Sequence, residues 1–194
     1  MPDRELVIRP TTMLPEVLEI EPKLREDARG FFLESYNERE YRAQGLDQRF
    51  VQDNHSRSVG GTLRGLHAQL RHPQGKLLRV VEGEIWDVAV DARPESPTYR
   101  KWVGVVLSAA NQRQLWVPPR FAHGFCVLSD WAQVEYKVTD FWHPGDEVTI
   151  AWDDPALAIA WPLQGPPVLS PKDAAGKRLA ELEPQLFRTT GTPA

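Results

Sequence analysis

The stretch of sequence that decides the fold runs Gly61-Thr-Leu-Arg-Gly-Leu-His67-Ala-Gln69 and, after four more residues, Gln74-Gly-Lys76. Apolar and polar residues nearly alternate in its first half, which is typical of a β-strand buried on one side. Alternate residues of a strand share a face, so His67 and Gln69 are expected to point the same way. Gly83 follows and indicates the turn that ends the next strand. The stretch therefore predicts two strands that bring a histidine, an amide and an ammonium together.

The spacing of these residues resembles the metal-binding motif of cupin β-barrels, which reads G-x5-H-x-H-x3–4-E-x6-G. Gly61 and His67 fit its opening, and Lys76 and Gly83 fit its closing interval. Gln69, however, stands in place of the second histidine, and Lys76 stands in place of the glutamate. Because a cation replaces an anionic ligand, we expect a site that lacks a metal and accepts an anionic or enolate-forming ligand instead.

A second motif supports the same barrel. Cupins carry a later P-x-G-x2-H segment, and the run Pro118-Pro-Arg-Phe-Ala-His123 matches its proline and histidine, with Arg120 in place of the glycine. His123 corresponds to the last metal ligand of a cupin, and a purely structural histidine is the alternative. Two histidines without the other two ligands make a poor site for a divalent metal. We therefore predict no metal and no cofactor.

Short β-like runs separated by turn residues follow one another along the chain. They are Leu6–Arg9, Val17–Glu21, Gly30–Ser35, Phe50–Asp53, Thr62–Gln69, Leu77–Val81, Ile85–Val90, Val103–Leu107, Gln114–Val117, Gly124–Leu128, Gln133–Thr139 and Thr149–Trp152. Two helices are expected, Asn37–Ala43 and Pro171–Leu182, and Ser170 is the N-cap of the second. Many short strands and few helices predict an all-β sandwich or barrel. No linker divides the chain, so residues 1–194 are expected to form one domain with a frayed tail at 189–194.

Composition and charge limit the possible functions. The 194 residues have a formal net charge of −4, so binding to nucleic acid through bulk charge is not expected. No apolar run approaches the roughly 18 residues of a membrane span, and the N-terminus lacks the apolar core of a signal peptide. The single cysteine, Cys126, lies in an apolar run and fits a buried, inert thiol in a reducing compartment. A cytoplasmic protein that binds neither nucleic acid nor membrane is predicted.

Four residues are candidates for chemistry. His67 is the candidate base, and Asp173 is a candidate carboxylate that orients the imidazole, although it also suits the first turn of a capped helix. Lys76 either ends a strand in solvent or faces inward, where its ammonium needs an anionic partner. Tyr136 either anchors packing or returns a proton to a ligand from the side opposite to His67.

Two arginines are candidates for phosphate binding. Arg29 and Arg64 could bind phosphate through charge-assisted hydrogen bonds, although surface arginines are common. Strand alternation places Arg64 on the face opposite to His67. Gln52 and Asn54 fall near the same strand in the predicted sheet. A phosphate-containing ligand is therefore a reasonable expectation, although the chain lacks a Walker motif and a dinucleotide fingerprint.

Beyond these motifs, the chain resembles the dTDP-4-dehydrorhamnose 3,5-epimerase family from about Val17 to Asp173. The matching segments, in order and with family-like spacing, are Arg29-Gly-Phe-Phe-Leu-Glu-Ser, Phe50-Val-Gln-Asp-Asn-His-Ser, Leu63-Arg-Gly-Leu-His-Ala-Gln, Gln74-Gly-Lys, Gly83-Glu-Ile-Trp-Asp-Val-Ala-Val-Asp, Arg113-Gln-Leu-Trp-Val-Pro, Phe121-Ala-His-Gly-Phe, Tyr136-Lys, Trp152-Asp-Asp-Pro and Leu169-Ser-Pro-Lys-Asp. The resemblance implies a double-stranded β-helix (the cupin jelly roll) with a few short helices. It also implies a metal-free homodimeric isomerase that epimerises dTDP-4-keto-6-deoxyglucose at C3 and C5.

The resemblance also implies roles for individual residues. His67 matches the family's base, Asp173 its orienting carboxylate, Lys76 the lysine that stabilises the enolate, and Tyr136 the proton donor. Further substrate-binding positions are matched by Gln52, Asn54, Arg64 and Lys172 for the nucleotide diphosphate, by Asp87 and His123 in the active site, and by Arg29, Phe32 and Glu34 on a strand that reaches the partner subunit's site.

Three residues depart from the family pattern, and rival functions stay open. Trp142 stands where a tyrosine is expected, Arg120 replaces a turn glycine, and Ala68 replaces an aromatic residue. The loss of a phenol at Trp142, a substrate-binding candidate, leaves open an epimerase that inverts only C3 or only C5. A metal-dependent cupin and a non-catalytic sugar-nucleotide-binding module are the alternatives from other classes.

Overall fold

Thirteen strands make up most of the regular structure in residues 3–187, the part of the chain that the computed structural model describes. The strands are β1 (Val7–Pro10), β2 (Leu18–Glu21), β3 (Lys23–Asp27), β4 (Gly30–Glu34), β5 (Gln52–Val59), β6 (Leu63–Gln69), β7 (Lys76–Glu82), β8 (Glu84–Asp91), β9 (Trp102–Ser108), β10 (Gln114–Val117), β11 (Phe121–Val127), β12 (Trp131–Val138) and β13 (Glu147–Thr149). Three short helices are also present there: α1 (Glu38–Ala43), α2 (Pro171–Ala174) and α3 (Leu179–Leu182).

Eleven of these strands form two antiparallel sheets that pack against each other. One sheet has six strands in the order β1-β2-β10-β7-β12-β5, and the other has five in the order β13-β6-β11-β8-β9. Several neighbours, such as β2 with β10 and β6 with β11, are far apart in sequence. Such connections between two packed sheets are those of a jelly roll. The predicted all-β fold, a double-stranded β-helix of the cupin type, is confirmed.

An apolar core fills one end of the space between the sheets. Leu78 and Val134 of the six-stranded sheet pack there with Ile85 and Phe125 of the five-stranded sheet, and all four are buried. Burial of one such side chain stabilises the fold by roughly 1.5–3 kcal/mol relative to leaving it exposed. Toward the other end the inward-facing residues become polar, and that end holds the cavity described below.

Other parts of the chain cover the outer faces of both sheets. Leu179 of α3 and Leu186 pack near Val88 on the five-stranded sheet. Tyr41 of α1 packs in one cluster with Trp116 of the six-stranded sheet. Strands covered on both faces read as continuous apolar runs instead of alternating ones, and β11 is accordingly buried along its whole length.

Several predicted strands have different bounds in the structure; β11, for example, begins at Phe121 instead of Gly124. β5 runs to Val59 instead of ending at Asp53, because Asn54 and Ser56 face the cavity and leave the strand without hydrophobic alternation. β13 begins at Glu147, two residues before the predicted strand. It ends early because the chain turns at residues 152–153, after Ala151 has donated its N–H to the carbonyl of Lys177.

The hairpin of β3 and β4 belongs to neither large sheet. β3 has the sequence KLRED and was not predicted, since its charged residues give no apolar periodicity. It pairs antiparallel with β4 from Lys23 opposite Glu34 to Asp27 opposite Gly30. An isolated hairpin is marginally stable, and this one gains support because Leu24 is buried and exchanges two backbone hydrogen bonds with Arg4.

The C-terminal helix predicted over Pro171–Leu182 is wrong in extent, since α2 and α3 are separate helices of four residues each. Ser170 caps α2 as predicted, with its side chain accepting a backbone N–H. Between the helices, Lys177 forms a parallel bridge with Ile150. Gly176 approaches the backbone of the same segment so closely that a Cβ would stand 2.9 Å from it. Pairing with the main body of the protein therefore interrupts the helix.

The remaining predictions concern α1, the cysteine and the chain ends. α1 is present, and the side chain of Asn37 caps it by accepting backbone N–H groups. Cys126 is fully buried, and burial raises the pKa of its thiol to about 11, as suits an inert cysteine. The tail at 189–194 lies outside the described residues. None of the helices within residues 3–187 has the length and apolar character needed to cross a membrane.

Candidate active site

A cavity of about 490 Å³ lies between the two sheets and opens to solvent. Strands β5, β7 and β12 form one wall, and β6, β11 and β13 form the other. It is lined by nine of the fourteen predicted site residues: Gln52, Asn54, Arg64, His67, Lys76, His123, Tyr136, Trp142 and Lys172. Asp87 and Asp173 contact residues of this lining from behind. The sequence motifs thus converge on one place.

His67 and Asp173 form a hydrogen-bonded pair at the cavity wall, with His67 Nε2 2.6 Å from Asp173 Oδ1. Asp173 also accepts the Gly65 N–H at 3.1 Å and the Ser170 hydroxyl at 2.6 Å. Burial raises the pKa of the Asp173 carboxyl, but hydrogen bonds from His67 and Ser170 outweigh it and hold this pKa at about 2. An ionised carboxylate only accepts hydrogen bonds, so Nε2 carries a proton, and in the neutral imidazole the lone pair lies on Nδ1. This is the arrangement of an oriented general base.

A bulge in β6 brings Arg64 and His67 into the same cavity. Along the pairing with β11, His67 lies opposite His123 and Arg64 lies opposite Phe125, so three steps of β6 match two steps of β11. The extra residue falls next to Gly65, whose φ is +114° and where a Cβ would stand 2.6 Å from the backbone of β11. The prediction that Arg64 faces away from His67 is wrong, because one extra residue inverts strand alternation.

Lys76 begins β7, and its side chain lines the cavity instead of extending into solvent. Burial lowers the pKa of its ammonium to about 8, and the nearby carboxylates of Glu147 and Asp87 oppose this shift. Most molecules therefore carry a positive charge here at neutral pH. A cation in a weakly solvated cavity stabilises developing negative charge far more than it does in water.

Tyr136 faces the cavity from β12, on the sheet opposite to the one that carries His67. Burial raises the pKa of its phenol above the ordinary value of 10. The hydroxyl is consequently protonated at neutral pH and available as a donor. The cavity therefore has a proton-accepting group on one wall and a proton-donating group on the other.

His123 and Asp87 form a second pair deeper in the wall. His123 Nε2 lies 2.9 Å from each carboxylate oxygen of Asp87, and both residues are buried. Burial lowers the pKa of His123, although the charge of Asp87 opposes this. The imidazole is therefore a neutral, oriented polar group in the cavity lining.

Cationic and amide side chains line the same cavity. Arg64 comes from β6 and Lys172 from α2, so both cations originate on one side. Gln52 Nε2 donates to Asn54 Oδ1 at 2.9 Å, and Gln52 Oε1 accepts the backbone N–H of Trp142 at 3.2 Å. The indole of Trp142 is 56% exposed. These groups suit a ligand that combines an anionic part with a flat ring.

The three predicted residues of the hairpin are not among those that line this cavity. Arg29 is paired with Asp27 on the same hairpin, and Glu34 accepts a hydrogen bond from Asn37. Phe32 is 71% exposed, and its neighbour Phe31 is 57% exposed. Within a single chain, the hairpin therefore does not complete the site.

Sequence reasoning missed Glu147. Its carboxylate pairs with the ammonium of Lys172, and its Oε1 lies 3.9 Å from His67 Nε2. The short polar strand β13 that carries it has no periodicity, so no sequence signal pointed to this residue. Its negative charge helps to keep Lys76 protonated.

Comparisons with known proteins agree with this geometry. The family model described as dTDP-4-dehydrorhamnose 3,5-epimerase matches residues 11–181. A dTDP-4-dehydrorhamnose 3,5-epimerase from Pseudomonas aeruginosa is 56% identical over 171 residues, which cover 88% of this chain and 94% of that protein. A protein of the same name from Neisseria gonorrhoeae is 52% identical over 177 residues, or 91% of this chain, which spans about half (54%) of that longer protein.

A solved structure also resembles this chain in both sequence and fold. It is a dTDP-6-deoxy-D-glucose-3,5-epimerase from Legionella pneumophila, solved in complex with dTDP-4-keto-L-rhamnose, and it is 50% identical to this chain. The two structures superpose with a TM-score of 0.91 over 97% of this chain and 100% of the Legionella chain. Sequence family, relatives and structure lead to one assignment. The chain belongs to the dTDP-4-dehydrorhamnose 3,5-epimerase family of isomerases.

Proposed function

We propose that this enzyme epimerises dTDP-4-keto-6-deoxyglucose at C3 and C5 to dTDP-4-keto-L-rhamnose, without a cofactor. The observation that carries the proposal is the placement of His67 and Tyr136 on facing walls of one cavity that also holds the Lys76 ammonium. The names of the relatives and the sugar nucleotide in the Legionella structure support this choice of substrate.

Proton removal is assigned to His67. The C4 ketone of the substrate acidifies the protons on C3 and C5, so a neutral imidazole is a sufficient base. Because Asp173 holds Nε2, the proton is taken by Nδ1. The electrons of the broken C–H bond form a carbon–carbon double bond to C4, and the carbonyl becomes an enolate. The carboxylate of Asp173 then stabilises the imidazolium.

The enolate oxygen is assigned to Lys76. Negative charge develops on this oxygen as the proton leaves, and a fixed ammonium stabilises that charge more than it stabilises the neutral ketone. His123, whose Nε2 bonds to Asp87, is assigned to accept a hydrogen bond at Nδ1 from a hydroxyl of the sugar. Lys76 thus stabilises the charge of the enolate, and His123 positions the sugar.

Reprotonation is assigned to Tyr136. Its phenol delivers a proton to the face of the ring opposite to His67, and this inverts the carbon and restores the C4 ketone. His67 then releases its proton to solvent, and Tyr136 takes one up. No electron leaves or enters the substrate, so the reaction needs no redox cofactor. The same two groups serve C3 and C5 in turn.

The nucleotide diphosphate is assigned to the cationic side of the cavity. Arg64 and Lys172 offer charge-assisted hydrogen bonds to the phosphates, and Gln52 and Asn54 offer amide groups. The exposed indole of Trp142 gives a flat surface for a ring of the ligand. Binding energy from these distant contacts positions the sugar for the chemistry.

A single-centre epimerase is the second candidate, and Trp142 is the observation that favours it. This residue lines the cavity at a position where a tyrosine is expected. An indole has no hydroxyl with which to hydrogen-bond the sugar or relay a proton. If that hydroxyl is needed at one carbon, the enzyme inverts only the other.

We also propose that the enzyme is a cytoplasmic homodimer of single-domain chains. In this arrangement the β3–β4 hairpin carries Arg29, Phe32 and Glu34 into the partner's cavity. The exposure of two adjacent phenylalanines on this hairpin supports the proposal, because aromatic residues of this kind are enriched in interfaces. The reducing cytoplasm suits a chain whose single cysteine is free and buried.

The test is product formation from dTDP-4-keto-6-deoxyglucose, followed by NMR. We expect His67→Asn to lower kcat by about 10²–10⁴-fold, since a general base contributes about that much. The matched control is His55→Asn, because His55 is an exposed histidine that bonds to Gln133 away from the cavity. A His67→Asn enzyme with wild-type kcat contradicts the proposal, as does a wild-type enzyme that binds the substrate without converting it.

A further inference from the structure

We infer that His72, Asp140 and His143 bind a divalent transition-metal ion at the rim of the barrel, outside the catalytic cavity. The two imidazole rings stack with centroids 3.7 Å apart and planes 14° from parallel. The carboxylate of Asp140 lies beside both, 3.5 Å from His72 Nδ1 and 3.9 Å from His143 Nε2. The three ligand atoms all lie within 4.8 Å of one another. The residues that line the catalytic cavity do not include these three.

The carboxylate and the imidazoles stand farther apart than hydrogen-bonded groups do, and Asp140 Oδ1 instead accepts the backbone N–H of Phe141 at 2.8 Å. Separations of 3.5 and 3.9 Å between the carboxylate and the imidazoles are longer than hydrogen bonds, which measure about 2.7–3.2 Å. Ligand atoms about 2.0–2.1 Å from a tetrahedral zinc ion stand roughly 3.3 Å from one another. Because the stacked rings lie in separate, nearly parallel planes and an imidazole binds an ion in its own plane, coordination requires at least one ring to rotate about its Cβ–Cγ bond out of the stack.

The donor set defines the class of ion. Two imidazole nitrogens and one carboxylate oxygen suit Zn²⁺ and neighbouring first-row ions such as Co²⁺ and Ni²⁺. Mg²⁺ and Ca²⁺ prefer sites made of oxygen atoms alone. Three protein ligands leave the fourth position of a tetrahedral ion to water.

Buried side chains hold the backbone around the two histidines. Gln69 is 5% exposed, donates from Nε2 to the His72 carbonyl at 2.7 Å and accepts the His143 N–H at Oε1 at 2.8 Å. Asp146, also 5% exposed, accepts the His72 N–H at 2.8 Å. Gln69 thus ties both histidine-bearing loops to one point of β6. Fixing the ligands before the ion arrives in this way strengthens metal binding.

The bound ion cross-links two loops beside the catalytic cavity. His72 lies on the loop after β6, while Asp140 and His143 lie on the loop after β12. Trp142, on this second loop, lines the cavity. The ion therefore limits the movement of the segment that presents the indole. Metal binding itself does not depend on the proposed reaction.

The test is calorimetric titration of Zn²⁺ into metal-stripped, full-length protein without a purification tag. We expect about one Zn²⁺ per chain, and an affinity more than about tenfold lower in His72→Ala, His143→Ala and Asp140→Asn. Two matched controls are His55→Ala, a lone exposed histidine, and His67→Asn, which removes the imidazole of the cavity. Both should bind Zn²⁺ like the wild type. Circular dichroism establishes that each variant is folded.

A second measurement uses Co²⁺ as a spectroscopic probe. The wild type should give visible absorption bands of Co²⁺ coordinated by nitrogen and oxygen, and the His72→Ala, His143→Ala double variant should lose them. Retention of Zn²⁺ binding in that folded double variant overturns the inference. Loss of binding in His67→Asn alone, or absence of binding by the wild type at millimolar Zn²⁺, overturns it equally.

Discussion

Lys76 carries a positive charge in a place where burial disfavours it. Its pKa is lowered to about 8, so between this value and the ordinary 10.5 the unfolded chain binds more protons than the folded one. The stability of the folded state consequently rises with pH across this window, and at neutral pH the buried charge is a cost. A charge kept at that cost is consistent with a role in chemistry.

Replacing Lys76 by methionine should therefore stabilise the protein while it removes activity. We expect the free energy of unfolding at pH 7 to rise by up to about 3 kcal/mol, since each pKa unit corresponds to about 1.4 kcal/mol. Urea unfolding of wild type and Lys76→Met measures this. The exposed Lys101 provides the control, and Lys101→Met should change stability little. A less stable Lys76→Met protein at pH 7 shows that the charge is not a cost.

The pH dependence of catalysis should report the same lysine. We expect kcat/KM to fall as pH rises through about 8, because the ammonium loses its proton and the enolate loses its cation. The phenol of Tyr136 does not cause this fall, because burial raises its pKa above 10. Lys76→Arg should retain some activity and move the alkaline limb to higher pH. If the alkaline fall of kcat/KM stays at the same pH in Lys76→Arg, a group other than Lys76 causes it.

Residue-level prediction from sequence worked where two motifs reinforced each other. His67 and Lys76 were found because their spacing matched a motif, and they do share a cavity. Glu147 could not be predicted from the sequence pattern, because the pairing of β13 with β6 brings it to the site. Gln69 kept the spacing of a metal ligand but instead ties two loops together. Spacing predicts position along a strand, whereas long-range packing decides what a side chain contacts.

At the level of elements, the bulge in β6 decides which residues share the cavity. Simple alternation separates Arg64 from His67, and the extra residue beside Gly65 brings them together. A sequence pattern with period two contains no information about such an insertion. The split of the predicted C-terminal helix has a similar origin, because pairing of Lys177 with Ile150 competes with local helix signals.

The β3–β4 hairpin gives a prediction about the dimer. If it acts in the partner's cavity, Arg29→Ala and His67→Asn place their defects in different chains of the same site. Random mixing of the two inactive proteins then yields hybrid dimers with one intact site, and about a quarter of wild-type activity should return. Each variant alone is the control. Failure of activity to return in hybrids that have demonstrably formed indicates that the hairpin serves its own chain or no site.

At the scale of the whole molecule, the fold class was predictable and the strand connections were not. Short strands with turn residues between them predicted an all-β sandwich or barrel, and the family resemblance implied the jelly roll. The charged β3 and the part of β5 beyond Asp53 escaped detection, since the first has no apolar periodicity and the second borders a cavity with polar residues. The two-sheet architecture explains the site, because the facing sheets set His67 and Tyr136 on opposite walls of one cavity.

The measurement that tests this account most directly is hydrogen exchange during turnover in D2O. The enzyme is incubated with dTDP-4-keto-6-deoxyglucose, and NMR follows deuterium at C3 and C5 of the sugar. The account predicts deuterium at both carbons with inversion of both, and loss of this labelling in His67→Asn. Deuterium at one carbon alone assigns the enzyme to the single-centre class. An absence of deuterium at both carbons, with substrate bound, contradicts catalysis by the His67–Tyr136 pair.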